Sequence, residues 1–220
     1  MNYRILALSI FVLSFLFSCG EDKTSNPTNN QPVNYESVTI GAQIWMKKNL
    51  DVICYRNGDT IPQVTNVSQW DKLTTGAWCY YNNDPANGAI YGKLYNWYAV
   101  NDPRGLAPAG WHIPTITEWN TLITSLGGWE TAGGKLKEAG TSHWYDPNSG
   151  ATNSSGFTAL PGGGISAASF NYLKDKGFWW TSSKESSSDA NGYYMYYYYT
   201  SAIPSSYSLT DGLSVRCVKD

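Results

Sequence analysis

The chain has 220 residues, and its 10 Trp, 17 Tyr and 6 Phe make aromatics 15% of the sequence, the same share as Asp, Glu, Lys and Arg together. Charged residues make up roughly 25% of an ordinary soluble domain, and disordered chains are highly charged and poor in rings, so the bulk of this chain folds. A formal net charge of −2 with scattered Lys and Arg leaves no basic footprint, so nucleic acid is not an expected partner.

Arg4 precedes a run, 5–17, that is apolar apart from Ser9 and Ser14. Such a run is shorter than the roughly 20 residues that cross a bilayer, and it reads as a secretory signal. Leu16-Phe17-Ser18-Cys19 resembles a bacterial lipobox. That resemblance implies a signal peptide over 1–18 and lipidation of Cys19 with palmitate-type chains. Two or more acyl chains make a stable membrane anchor where one does not. Residues 19–37 are rich in Ser, Asn, Thr, Gln and Pro and are expected to be a flexible tether. The acidic pair Glu21-Asp22 resembles a surface-export signal, which places the expected lipoprotein on the outer membrane, exposed on the cell surface.

Residues 38–220 form the expected folded domain. The pattern predicts a hairpin over 38–46 that bends at Gly41-Ala42. Strands are expected at 52–56 and 77–81, and a helical face at 91–100 carries Leu94, Trp97 and Tyr98. The clearest helix is 116–126, opened by the capping box Thr115/Glu118 and closed by Gly127-Gly128. A shorter helix is expected over 131–138. Further strands are expected at 156–160, 178–182, 193–200, 206–209 and 213–218. The fold class is therefore α+β, with many short strands around two or three helices.

Several strings then line up in order. They include Trp45-Met46-Lys47-Lys48-Asn49-Leu50, Tyr91-Gly92-Lys93-Leu94-Tyr95-Asn96-Trp97, Gly110-Trp111-His112-Ile113-Pro114, Gly133-Gly134-Lys135-Leu136-Lys137, Gly156-Phe157-Thr158-Ala159-Leu160, Phe178-Trp179-Trp180-Thr181-Ser182-Ser183 and Ser214-Val215-Arg216-Cys217. Together they resemble the Fibrobacter succinogenes major paralogous domain family of bacterial cell-surface proteins. The Gly-Trp-His-Ile-Pro and Phe-Trp-Trp-Thr-Ser-Ser strings are more distantly similar to the formylglycine-generating enzyme superfamily. That similarity implies a C-type-lectin-like fold with irregular antiparallel strands. Many family members carry a Cys where this chain has Ala107, which leaves open what Cys217 pairs with. One disulfide is expected in an oxidising compartment, either Cys54–Cys79 or Cys79–Cys217.

The enzyme branch of that superfamily uses copper held by a close cysteine pair near the C-terminus, and this chain has only Cys217 there. No enzymatic activity and no cofactor are expected. The loops around Asn82-Asn83-Asp84 and Ser188-Asp189 lack the alternating oxygen ligands of a calcium site, so no metal is expected. His112 reads as a ring hydrogen-bonded under the helix start. The tyrosine run 193–199 is the unusual feature. As a strand it places Tyr194, Tyr196 and Tyr198 on one face and Tyr193, Met195, Tyr197 and Tyr199 on the other. An exposed row of rings with hydroxyl tips suits sugar faces or protein partners. The candidate ligand-binding residues are Tyr194, Tyr196, Tyr198, His143 and Trp144, and Tyr145, or at most one of Trp179 and Trp180, is a further contributor to the surface. The expected function is a surface-anchored binding or adhesion module for carbohydrate or protein. A structural envelope component is the alternative, and a formylglycine-generating-type enzyme is the less favoured one.

Overall fold

The computed structural model of the protein describes residues 34–220. The expected signal peptide, Cys19 and most of the tether fall on residues 1–33, outside the described residues. The described residues form one α+β arrangement. It opens with the hairpin β1 (Ser37–Ile40) and β2 (Gln43–Met46), followed by the short helix α1 (Val67–Trp70). Next come β3 (Trp78–Cys79), a 3-10 turn (Tyr81–Asn83), α2 (Pro85–Tyr91), β4 (Leu94–Tyr95) and α3 (Trp97–Val100). β5 (Trp111–His112) leads into α4 (Ile116–Ser125) and α5 (Trp129–Leu136). Strands β6 (Gly162–Ser166), β7 (Ser169–Leu173), β8 (Lys176–Lys184), β9 (Asp189–Tyr196), β10 (Ala202–Ser208) and β11 (Val218–Lys219) complete the order.

Two main sheets organise these pieces. One has the order β1-β2-β11-β5, so the last strand returns to lie beside the first hairpin. The other has the order β10-β9-β8-β6-β7, and its long strands β8 and β9 pair antiparallel with Trp179 opposite Tyr193. A two-stranded ribbon, β3-β4, stands apart from both.

The 38–46 hairpin and the capped helix follow the sequence pattern. In α4 both halves of the capping box form: Thr115 accepts from the Glu118 amide, and the Glu118 carboxylate accepts from the Thr115 amide. Its apolar stripe buries Trp119, Leu122 and Ile123.

Other stretches depart from expectation. The 91–100 stretch is not one helix. Gly92 ends α2 at a φ of 77°, and the Asn96 side chain caps α3 by accepting from the Ala99 amide. The residues between them are left extended as β4. The stretch 52–56 has a single bridge, Cys54 to Thr60, because Tyr55 turns back on itself through the Gly58 and Asp59 backbone. The stretch 156–160 has one bridge as well, since Thr158 adopts a φ of 56° that no strand tolerates. Five α-helices among the described residues replace the expected two or three.

The aromatics fill the interior. Trp45, Trp119, Phe157, Trp179 and Tyr193 form one cluster, with Trp119 stacked on Tyr193 at 5.0 Å between centroids. Trp97, Trp111 and Trp180 belong to a second cluster on the other side of β8. Neither Trp179 nor Trp180 is available for a surface. Both are fully buried, their indoles donating to Asn49 Oδ1 and the Tyr95 carbonyl. A strand buried on both faces explains why two adjacent tryptophans are both hidden. Cys79 and Cys217 are buried free thiols, so neither the Cys54–Cys79 nor the Cys79–Cys217 bridge forms.

Candidate functional site

The tyrosine run divides along its length. Tyr193 and Met195 point into the core, while Tyr194 and Tyr196 are half-buried. β9 then ends at Tyr196, and the chain turns through a Tyr199 amide to Tyr196 carbonyl bond. The strict alternation expected for 193–199 therefore stops at Tyr196, and both Tyr198 and Tyr199 come out to solvent at 58% and 48% exposure.

Buried side chains from elsewhere hold this turn. Lys137 is fully buried, yet among the described residues its ammonium meets no carboxylate. It donates instead to the carbonyls of Tyr199 at 2.8 Å, Ser149 at 3.1 Å, Tyr196 at 3.2 Å and Tyr197 at 3.5 Å. Burial pushes the lysine down to about 8. One turn earlier in the same segment, Gly134 donates its amide to the Thr200 carbonyl at 2.8 Å. A side chain on Gly133 would meet the Ser201 carbonyl oxygen at 2.1 Å, and one on Gly134 the Gly150 carbonyl oxygen at 2.4 Å. The Gly133-Gly134-Lys135-Leu136-Lys137 string thus brings backbone close enough for a buried cation to gather the tyrosine turn.

Trp144 is the floor of this arrangement rather than a surface contact. It is 2% exposed, lies 5.4 Å from the Lys137 ammonium and donates its indole N–H to the Ala159 carbonyl. It therefore leaves the set of ligand-binding candidates, while its neighbour Tyr145, expected beside it, is at the surface at 51% exposure. His143 is partly exposed, with Nδ1 at 2.9 Å from both Glu138 oxygens and its ring against Tyr91. No contact of His143 with the tyrosine rings of the turn is seen.

Exposed and half-buried rings form a contiguous patch. Tyr145 packs edge-on to Tyr197 at 5.9 Å, and Tyr196 touches Tyr197, Tyr198 and Tyr199 at 4.8 to 6.4 Å. Lys176 extends it, its ammonium 4.3 Å from the Tyr172 centroid, 5.5 Å from Tyr194 and 5.3 Å from Tyr196. Tyr172 sits at a φ of 68°, a conformation that a bulky residue rarely adopts and that surrounding structure must enforce. Of the seven large apolar side chains exposed among the described residues, Tyr145, Tyr172, Tyr198 and Tyr199 account for four, so this patch concentrates the exposed apolar surface.

His112 serves the fold. Its Nδ1 lies 2.7 Å from Asp220 and its Nε2 2.7 Å from Glu118, which fastens β5 and the last residue to the start of α4. Burial works against the thiolate at both Cys79 and Cys217, pushing Cys217 up to about 12 and Cys79 higher still. Among the described residues, no helix is long and apolar enough to cross a membrane.

An α+β domain that spends its interior on tryptophan and its surface on a fixed tyrosine turn is the class defined by this geometry. The chain belongs to the Fibrobacter succinogenes major domain family, whose family model matches residues 38–219. No curated protein and no solved structure matches it.

Proposed function

We propose that the protein is a lipoprotein anchored through Cys19 to the outer membrane and displayed on the cell surface. Its domain is a non-enzymatic binding module of C-type-lectin-like architecture that contacts a protein partner through the Tyr145, Tyr172, Tyr196, Tyr198 and Tyr199 patch. The observation that carries the reading is the exposure of Tyr198 and Tyr199 on a turn fixed from beneath by Lys137, with Tyr145 and Tyr172 also exposed. Tyrosines held in place lose little entropy on binding.

The ring angles favour protein over polysaccharide. Tyr196 and Tyr197 are inclined at 79°, Tyr196 and Tyr199 at 75°, and Tyr198 and Tyr199 at 70°. Stacking along an extended sugar chain calls for coplanar rings, whereas mutually upright rings make knobs that fit the pockets of a protein surface.

The test compares the wild-type chain with Tyr198→Ala/Tyr199→Ala in cross-linking capture from surface extracts and on a glycan array. A defined protein captured by the wild type and lost in the variant supports the reading. A tyrosine-dependent glycan signal replaces the partner class, and no tyrosine-dependent ligand in either format sinks it. Incorporation of labelled palmitate that disappears in Cys19→Ala tests the anchor.

A further inference from the structure

Sharing no lining residue with the tyrosine patch, the residues just after β2, the end of α2, the 156–160 stretch and Arg216 line an open cleft of about 310 Å³. That is the small end of ligand pockets, which run from about 300 to 1,000 Å³. A second cleft of about 350 Å³ adjoins it and shares Glu36, Lys48, Asn49 and Asp51.

The lining residue of interest is Arg216, 1% exposed. Its Nη1 donates to the carbonyls of Met46, Lys47 and Phe157. Its Nε and Nη2 both donate to Asn49 Oδ1, at 3.0 and 2.7 Å. That one amide oxygen also accepts the Trp179 indole N–H at 2.9 Å. A guanidinium has five N–H donors, and the second N–H of Nη2 finds no acceptor among the described residues. No carboxylate lies within ion-pair distance of Arg216 among them either. A neutral amide stands where a counter-charge is needed, and burial holds the guanidinium below the ordinary arginine range.

The rest of the cleft leans the same way. Lys47 and Lys48 are exposed on its wall. Of its two carboxylates, Asp51 is already paired with the buried Lys93, which leaves Glu36 against three cations. Thr158, also on the wall, is a β-branched residue at a φ of 56°. Asn153 holds it there, with Oδ1 accepting from the Thr158 amide at 2.8 Å and Nδ2 donating to its hydroxyl at 2.9 Å. Strain of this kind persists only where surrounding structure imposes it, and it gathers at functional sites.

We infer that this cleft binds a small ligand carrying an oxyanion group, with Arg216 supplying buried charge at its base and Lys47 and Lys48 holding the anion at its mouth. The shared chemistry is a carboxylate or phosphate on a molecule of about monosaccharide size. The site is distinct from the tyrosine patch, so either reading stands or falls alone.

Calorimetric titration of the purified full chain in detergent, at constant ionic strength, tests it with glucuronate, inorganic phosphate and glucose. Saturable binding of glucuronate or phosphate is expected, with glucose at least tenfold weaker. Lys47→Gln/Lys48→Gln changes only exposed side chains and should weaken the anion at least tenfold. Tyr198→Ala/Tyr199→Ala should leave anion affinity unchanged. Absence of saturable binding by both anions overturns the inference. So does equal affinity for glucose, an unchanged affinity in the double lysine variant, or loss of anion binding in the tyrosine variant.

Discussion

The ammonium of Lys137 lies 2.8 Å from the carbonyl oxygen of Tyr199, across 62 residues of chain. That bond fixes the surface from inside the core: a buried charge sets the backbone on which the exposed rings stand. The arrangement also has a pH signature. Burial lowers Lys137 from 10.5 to about 8, so between these values the unfolded chain binds more protons than the folded one. Stability from this residue therefore rises with pH across that window. At 1.36 kcal/mol per unit the gain is at most about 3 kcal/mol. Urea melts of wild type and Lys137→Met should diverge accordingly from pH 8 to 10.5, the wild type gaining. The orphaned carbonyls of the variant add only an offset that does not titrate. A difference that stays flat across the window contradicts the burial of the Lys137 ammonium among carbonyls.

Position within the tyrosine run should decide the cost of truncation. Tyr193 stacks on Trp119 and donates its hydroxyl to Asn120 Oδ1 at 2.6 Å. Tyr193→Ala should cost about 3–5 kcal/mol, the range for large aromatic deletions in a core. Tyr198→Ala and Tyr199→Ala should each stay within about 0.5 kcal/mol of wild type, as for exposed sites. Urea denaturation measures both. A large loss from the exposed pair would make the turn a packing element and remove the basis for a binding patch.

Much of this was legible in the sequence where a local rule coincided with the tertiary one. The Thr115/Glu118 box, the 38–46 hairpin and the burial of Trp45, Trp97, Trp111 and Trp119 are of that kind. The β6-β7 hairpin gave no signal, because its turn puts Ala167 and Ala168 at φ values of 48° and 53° where Asn-Gly would announce itself. Trp144 reads as a loop residue, yet Lys137 and the Ala159 carbonyl draw it inside. The run of seven residues, 193–199, looks like one strand, but carbonyls bonded to a lysine some sixty residues away end it at Tyr196. No pattern within a single segment encodes such a long-range bond. Arg216 was visible only as part of a string, since its burial and its lack of a carboxylate partner among the described residues are properties of the fold.

The thiols should be silent until the chain unfolds. Cys79 and Cys217 are both fully buried and free, and burial raises both thiols far above neutrality. Alkylation mapped by mass spectrometry should modify neither residue in the native protein at pH 8 and both in denaturant. Native labelling of either one, or a disulfide joining either to Cys54, would contradict the packing of β3 and of the residue that precedes β11.

His112 bridges two carboxylates, and its titration should carry their mark. Partial burial works against the charged ring, but hydrogen bonds and charges from Glu118 and Asp220 outweigh it and raise the imidazole above 6.5. A raised folded value contributes stability that is fully present below the unfolded value of about 6.5 and is lost as pH rises through the folded one. The ring is 37% exposed, so solvent screening limits the contribution to about 1 kcal/mol or less. His112→Ala should therefore lose more stability at pH 5.5 than at pH 9. Glu118→Gln separates the charge from the cap, because Gln also closes a capping box. Proton NMR titration of the ring should give a value above 6.5 in wild type, falling in Glu118→Gln and again in Glu118→Gln/Asp220→Asn. A ring that titrates at or below 6.5, or ignores both substitutions, would mean that the two 2.7 Å contacts do not hold a charged imidazole.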